Sequence, residues 1–361
     1  MKLRSDTYKN SDFNSKLFAL VLAIAFQQFM LALVTASDAI MLGVISQNPL
    51  SAASIAGQIT FVYNLFLGAM SIGLSILVAQ YYGKKDILSI EKVLAIALRI
   101  TMTISFLFFL GTTIFPKHLM RIFTSDQILI ESGIAYLRIV GITYLFCSMS
   151  QIYLCIMKNC GLAFKSMIIS LVTVVLNISF NAIFILGLLG SPEMGIIGAA
   201  IATIMARLIE LAWIIKEASK SQNIKIKLVY LIREDMALKK SFWRYNFPVL
   251  GNMLVWGGGF TMQSVIMGHL GSDAVAANSV TNIVKNIIAC FCLGLGSGGG
   301  IIIGNELGAG CLETAKNYGR RLCVMSTISG VLSGVLLLVV IPIVFNLNTI
   351  SNVCLLCVLI T

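Results

Sequence analysis

The chain has 361 residues, of which 58% are apolar and only 11% charged. A soluble domain carries about a quarter charged residues. The balance here cannot coat a water-facing surface, and it also excludes disorder, collagen, coiled coil and a small disulfide scaffold. Lys+Arg 26 against Asp+Glu 15 leaves a net +11, whose meaning depends on where the charges fall.

Residues 1–16 are polar and read as a cytoplasmic segment, with no cleavable signal peptide. A bilayer span needs about 20 mostly apolar residues. Ten runs qualify in chain order: 17–44, 52–82, 93–115, 134–157, 162–189, 195–215, 242–270, 274–304, 322–345, and a last one from Ile350 to the end. Gly and Pro punctuate the gaps, at Pro49, Gly83, Pro116, Gly161, Pro192, Gly271 and Gly310. With the N-terminus inside, 20 of the 26 Lys and Arg lie in cytoplasmic segments, eight of them between Lys216 and Arg244; only Lys117 and Arg121 lie outside. This is the positive-inside pattern. It accounts for the net charge through lipid headgroups and without nucleic acid. The other four, Arg99, Arg138, Arg207 and Lys285, sit within helices or near their ends, and Glu210 also reads as a structural helix-end residue.

The chain repeats itself. AIMLGVISQNPLSAASIAGQI around Met41 parallels SVIMGHLGSDAVAANSVTNIV around Met267, and Gly73 and Gly83 are matched by Gly298 and Gly308. Six runs separate the two starts, so both copies enter the membrane in the same direction, as in parallel-repeat transporters. The expected fold class is an all-α polytopic membrane protein of two parallel-repeat helical lobes. The first lobe spans 17–219 with six helices. A cytoplasmic basic linker covers 220–241. The second lobe, 242–361, holds about four helices and stops inside an apolar run, which reads as a C-terminally incomplete transporter.

Asp38 lies 22 residues into the first run, beyond mid-depth toward the outside. A charge at the bilayer centre costs about 2.5–3.5 kcal/mol on insertion scales, and no Lys or Arg stands three or four positions away. Binding a proton or Na+ would relieve that cost, so Asp38 is the leading candidate for a coupling-ion site. Asn177 and Asn181 are four apart, on one face of a helix, and their amides need partners away from lipid. Gln58, Tyr63, Tyr144, Gln263, Asn282 and Lys285 are further polar groups on apolar helices that could line a path. The 16 methionines suit either ordinary membrane core or a pliable lining for varied apolar cations. The nine cysteines read as packing residues, including the Cys354-x-x-Cys357 spacing, which lacks a second pair. His118 and His269 are isolated, so no zinc site is expected. The triplets Gly257–Gly259 and Gly298–Gly300 lack the Lys-Ser/Thr of a phosphate loop. No nucleophile–base–acid constellation stands out, so the chain does not read as an enzyme.

Several stretches resemble the multidrug and toxic compound extrusion family. SDAIMLGVISQNPLSAASIAGQI at 37–59 is similar to its first-helix signature, and GLSILVAQYYGKKD at 73–86 to the end of its second helix. AYLRI at 135–139 resembles the start of its fourth helix. LNISFNAIFILG at 176–187 and GIIGAAIAT at 195–203 resemble its fifth and sixth helices, and GIIIGNELGAG at 300–310 the second-lobe counterpart. The resemblance implies a secondary antiporter of two six-helix lobes in the plasma (inner) membrane. It would export organic cations and drugs in exchange for H+ or Na+, as a monomer without a cofactor. It also implies that Asp38, Asn177, Asn181 and Thr203 surround the first-lobe ion site, where Na+ is one possible occupant. The chain departs from the sodium-coupled branch in two ways. Trp256 stands where that branch carries a helix-seven carboxylate, counted from Pro248, and the branch's helix-ten acid falls at or past the end of this chain. A flippase for lipid-linked oligosaccharides is the alternative reading, although such a cavity would be expected to carry more charge pairs.

Overall fold

The computed structural model describes residues 2–45, 47–124, 126–220, 224–232, 235–269 and 272–345. Its long helices are α1 (Lys2–Ile45), α2 (Gln47–Gly83), α3 (Ile87–Ile114), α6 (Thr143–Asn159), α7 (Ala163–Leu186), α8 (Gly195–Ala218), α10 (Met236–His269), α11 (Ser272–Gly308) and α12 (Leu312–Phe345). Shorter helices fill the gaps: α4 (Pro116–Phe123), α5 (Gln127–Val140) and α9 (Leu228–Ile232). No strand occurs among the described residues. The all-helical class follows from the solvent: in lipid a helix satisfies its own backbone hydrogen bonds.

Among the described residues, seven helices are long and apolar enough to cross a membrane: α1, α2, α3, α7, α8, α11 and α12. The expected run 134–157 is instead a bent pair, α5 and α6, which turn by 49° and, counted as one span, bring the number to eight. The break falls at Gly141–Ile142, where Gly141 is packed so closely that a Cβ there would lie 2.3 Å from Thr112 Oγ1. The expected run 242–270 falls in α10, but Asn252, the triplet Gly257–Gly259 and Gln263 dilute its apolarity, and it does not rank with the seven. The final run, from Ile350, and the Cys354-x-x-Cys357 spacing lie outside the described residues. The helix α1 is continuous from Lys2.

Two compact units divide the chain. One comprises Leu33–Met253. Its core joins Tyr63, Met70 and Leu74 of α2 to Val93 and Leu94 of α3, Ile152 and Tyr153 of α6, Ile169 of α7, Ile214 of α8 and Phe242 of α10. The other comprises Met1–Ala32 with Leu254–Thr361. There Leu17 and Val21 of α1 bury against Leu295 of α11. Gly294 permits the approach, since a Cβ on it would meet Val21 O at 2.9 Å. The leading helix of each repeat therefore runs from one unit into the other. The start of α1 belongs with the second repeat and the start of α10 with the first.

The two docked starts are held in equivalent ways. Gly298 of α11 meets Val21 of α1 within one unit, and Gly73 of α2 meets Asn246 of α10 within the other. Gly73 and Gly298 are 225 residues apart, and so are Val21 and Asn246. A Cβ at position 73 would fall 2.2 Å from Asn246 Oδ1, and Asn246 is fully buried. Gly73→Ala is expected to lower stability by roughly 1–3 kcal/mol, the usual cost of overpacking a core. Adding Asn246→Ala should restore most of it, because the clash is with that side chain. Thermal midpoints of the detergent-solubilised single and double variants test this; equal losses in both would refute the contact.

The linker expected at 220–241 is strapped to the first of these units. Tyr153 donates to Ile224 O at 3.0 Å, Lys227 pairs with Glu91 at 2.6 Å, and Lys92 pairs with Asp235 at 3.1 Å. Arg99 donates to Leu231 O. Asp86 caps α3, accepting from Ser89 N at 3.0 Å and Ser89 Oγ at 2.6 Å. The Ser89 hydrogen bonds hold the Asp86 carboxyl below the usual carboxylate range. The hydrogen bond from Lys92, aided by Leu238 N, does the same for Asp235. A carboxyl that binds its proton more weakly when folded adds stability above its unfolded pKa of about 3.9, and this is lost as pH falls through the folded value. Asp86→Asn/Asp235→Asn should therefore lose less stability than the parent when acidified below about pH 4, as read by thermal unfolding against pH.

Candidate functional site

The site is built on three helices of the Leu33–Met253 unit. Near its C-terminal end α1 packs Met41 and Leu42 against Ile185 of α7 and Ala199 of α8. These contacts lie one turn beyond Asp38 on α1 and one turn beyond Asn181 on α7. They fix the two polar residues side by side with an apolar layer on one side of them. Two features of the chain hold α7 and α8 together. Gly187 ends α7 in the left-handed region, at φ 69°, where glycine is favoured. Gly198 of α8 lies against the α7 backbone: a Cβ there would be 2.4 Å from Phe184 O.

Asn181 is fully buried. Its Nδ2 donates to Asp38 Oδ1 at 2.5 Å and to Asn177 Oδ1 at 3.2 Å. Both of its donors are thus engaged, while Asn181 Oδ1 is buried with no hydrogen-bond partner among the described residues. No ion pair reaches Asp38 among the described residues. The result is a half-buried carboxylate, an orphaned amide oxygen and no fixed cation. Such a site has the hard oxygen donors that suit an alkali cation and a carboxylate that can take a proton. No cluster of three metal-binding His, Cys, Asp or Glu side chains exists among the described residues.

The other expected residues are placed as follows. Thr203 hydrogen-bonds within its own helix, to Ala199 O at 2.9 Å, and no described hydrogen bond links it to Asp38. Gln58 is partly exposed. Tyr63 and Tyr144 are each 1% exposed and face one another rather than open space, with ring centroids 4.5 Å apart. Tyr63 donates to Tyr144 O at 2.8 Å and bonds Ser105 Oγ at 3.1 Å, while Tyr144 OH bonds Thr60 Oγ1 at 3.0 Å. In the other unit Trp256 is exposed and lies 5.4 Å from the Phe260 ring, and Gln263 is partly exposed. The side chains of Asn282 and Lys285 lie outside the described residues.

One feature was misplaced by the sequence reading. Glu210, expected near a helix end, lies eight residues inside α8, and Arg207, expected within a helix or near its end, lies at the middle of that helix, which runs Gly195–Ala218. Arg207 Nη1 donates to Glu210 Oε2 at 2.8 Å, with the side chains 22% and 1% exposed. The signal was available as an Arg-x-x-Glu spacing inside an apolar run, three apart and so on one helix face.

A multi-pass helical membrane protein with a half-buried carboxylate on its first helix, unpaired with any cation among the described residues, is the class that fold and site define. A family comparison then identifies it: the MatE model matches residues 23–183 and 248–354, and the chain belongs to that family. Among curated proteins it is similar to "Uncharacterized transporter YisQ" of Bacillus subtilis, 23% identical over 312 residues, covering 85% of this chain and 68% of that one. It is also similar to "Multidrug resistance protein NorM" of Vibrio cholerae, 24% identical over 278 residues, covering 75% of this chain and 60% of that one. The chain therefore spans about 60–68% of the length of these relatives. Among solved structures the fold matches one described as MATE in the straight conformation, with TM-score 0.84, 16% identity and coverage of 95% and 76%. It also matches a MOP superfamily transporter from Pyrococcus furiosus, with TM-score 0.80, 17% identity and coverage of 94% and 75%.

Proposed function

We propose that this chain works as a secondary antiporter, exporting organic cations and drugs in exchange for H+ or Na+ by alternating access of two lobes. Asp38 binds the coupling ion, Asn181 orients it, and Asn177 fixes the Asn181 amide. The ion and the cationic substrate each favour a different state of the protein, so each displaces the other. The protein sits in the plasma membrane with its N-terminus inside, acts as a monomer, and needs the coupling ion but no cofactor. The relatives named multidrug resistance proteins support this reading. The observation that carries it is a half-buried carboxylate with no cationic partner among the described residues, beside the orphaned Asn181 oxygen. Such an arrangement is costly in a membrane unless a mobile cation completes it.

The direct test is efflux of a cationic dye from cells producing the protein. Asp38→Asn is expected to abolish efflux at unchanged protein levels; full efflux by that variant would remove the ion role.

A further inference from the structure

The proposed mechanism makes no use of α4. This helix follows directly on α3, whose apolar span ends at Ile114, and precedes the bent span that begins at Gln127. It therefore sits at the membrane surface opposite Lys84 and Lys85, which adjoin the start of α3. Its side chains divide between two faces. Pro116 and Met120, four apart, are buried, and Met120 joins Ile59 of α2 with Ile130 and Leu137 of α5. Gly133 of α5 admits it, since a Cβ there would overlap Met120 Cε. That contact fixes the direction of the opposite face. Lys117, His118, Arg121 and Ile122 are all exposed, and spacings of three and four group them on the outward side. The His118 ring meets Phe115 edge-on, with centroids 6.1 Å apart at 72°. Neither Lys117 nor Arg121 has an ion pair among the described residues. The acids next along the chain are engaged on α5: Asp126 accepts from Ile128 N at 2.9 Å, and Glu131 from Gln127 Nε2 at 3.1 Å. Arg121, in the last turn, complements the helix dipole, but Lys117 in the first turn opposes it and no acid stands there. A bound anion would offset that penalty. Around these bases Ile114, Phe115, Ile122 and Phe123 are exposed, Ile122 by 71%.

We propose that the outward face of α4 binds an anionic phospholipid. Lys117, His118 and Arg121 take the phosphate, and the acyl chains lie against Phe115, Ile122 and Phe123. Bases beside large exposed apolar side chains, at the level where a span ends, have the character of an interfacial helix. A free anion would use the bases and leave the apolar flank in water. A neutral lipid would cover the flank and leave the bases uncompensated. An anionic phospholipid meets both needs. The consequence reaches the candidate site through packing. Tyr136 of α5 packs against the cluster that holds Met120 and also against the cluster that holds Leu42 of α1, Ile185 of α7 and Ala199 of α8. A lipid that holds α4 in place thus braces the wall on which Asp38 and Asn181 are set. The lipid site itself does not depend on the transport reading.

The experiment uses the whole chain in phosphatidylcholine vesicles, with Ile122→Trp as a fluorescent reporter and brominated phosphatidylglycerol or brominated phosphatidylcholine as the quencher. The substitution keeps a large apolar side chain at an exposed position, and its emission is read as the difference from the parent, which carries three tryptophans of its own. Brominated phosphatidylglycerol should half-quench the reporter at a bilayer fraction roughly tenfold or more below that of brominated phosphatidylcholine, since each base near an anionic membrane surface contributes about fivefold. Adding Lys117→Gln/Arg121→Gln should bring the two lipids to within about twofold of each other. Adding Lys84→Gln/Lys85→Gln, at the opposite surface, should keep the preference. Equal quenching by the two lipids in the reporter protein, or a preference that survives the loss of Lys117 and Arg121, would overturn the proposal. So would loss of the preference in the Lys84 and Lys85 variant, which would mark a general charge effect. Inorganic phosphate, compared with chloride at matched ionic strength, should not relieve the quenching; relief by phosphate alone would mark a soluble-anion site and overturn the lipid assignment.

Discussion

Gly198→Ala is expected to be among the most damaging single-methyl changes in this chain, and to damage the ion site from a distance. The added Cβ would stand 2.4 Å from Phe184 O, 2.7 Å from Phe184 C and 3.1 Å from Ile185 N. All three are backbone atoms of α7, so no rotamer change relieves the clash; the helices themselves must separate. Overpacking of this kind costs roughly 1–3 kcal/mol, occasionally more. Phe184 is one turn from Asn181, which donates to Asp38, so movement of α7 also draws the amide away from the carboxylate. The expected result is a lower thermal midpoint together with weaker coupling-ion binding. Gly57, which has open space around its Cβ position, is the control: Gly57→Ala should leave both unchanged. A Gly198→Ala protein with parent stability would show that α7 and α8 do not pack backbone to backbone.

Asp38→Asn should separate stability from activity. The substitution removes a charge costing about 2.5–3.5 kcal/mol at bilayer depth on insertion scales and keeps the side chain's shape. The folded protein is therefore expected to be as stable as the parent or more so, while ion-driven export falls by roughly a hundredfold or more, the scale of a lost acid–base group. Asn181→Leu should do the opposite to stability. It removes a hydrogen bond to a charged group, worth about 1.5–3 kcal/mol, and leaves the carboxylate unpartnered. A purely structural Asp38 would give the reverse order, with Asp38→Asn destabilising and export retained. Thermal midpoints and dye efflux on the two variants distinguish these cases.

The class of fold was legible because the solvent dictates it: apolar runs of span length leave little choice but helices. The pairing of Asn177 and Asn181 was legible from their four-residue spacing, and Asp38 from its isolation within an apolar run. Other features depend on contacts distant in sequence. Nothing local says that the middle of α1 docks on α11, or that α10 begins against α2; Gly294, Gly298 and Gly73 are ordinary membrane-helix glycines until their neighbours are known. Tyr63 and Tyr144 read as path-lining because polar groups on apolar helices seek partners, yet they find those partners in each other and in Thr60 and Ser105. The bend between α5 and α6 is a tertiary effect at Gly141, pressed against Thr112. Glu210 read as a helix-end residue, yet it pairs with Arg207 well inside α8, a partnership that the i,i+3 spacing allowed and that only the placed side chains reveal.

The most direct test is transport in proteoliposomes under ΔpH and ΔpNa imposed one at a time, comparing parent and Asp38→Asn. The account predicts that at least one gradient drives a cationic dye across the membrane and that Asp38→Asn abolishes this response. Dye movement by Asp38→Asn at the parent rate, with the same dependence on the gradient, would contradict it.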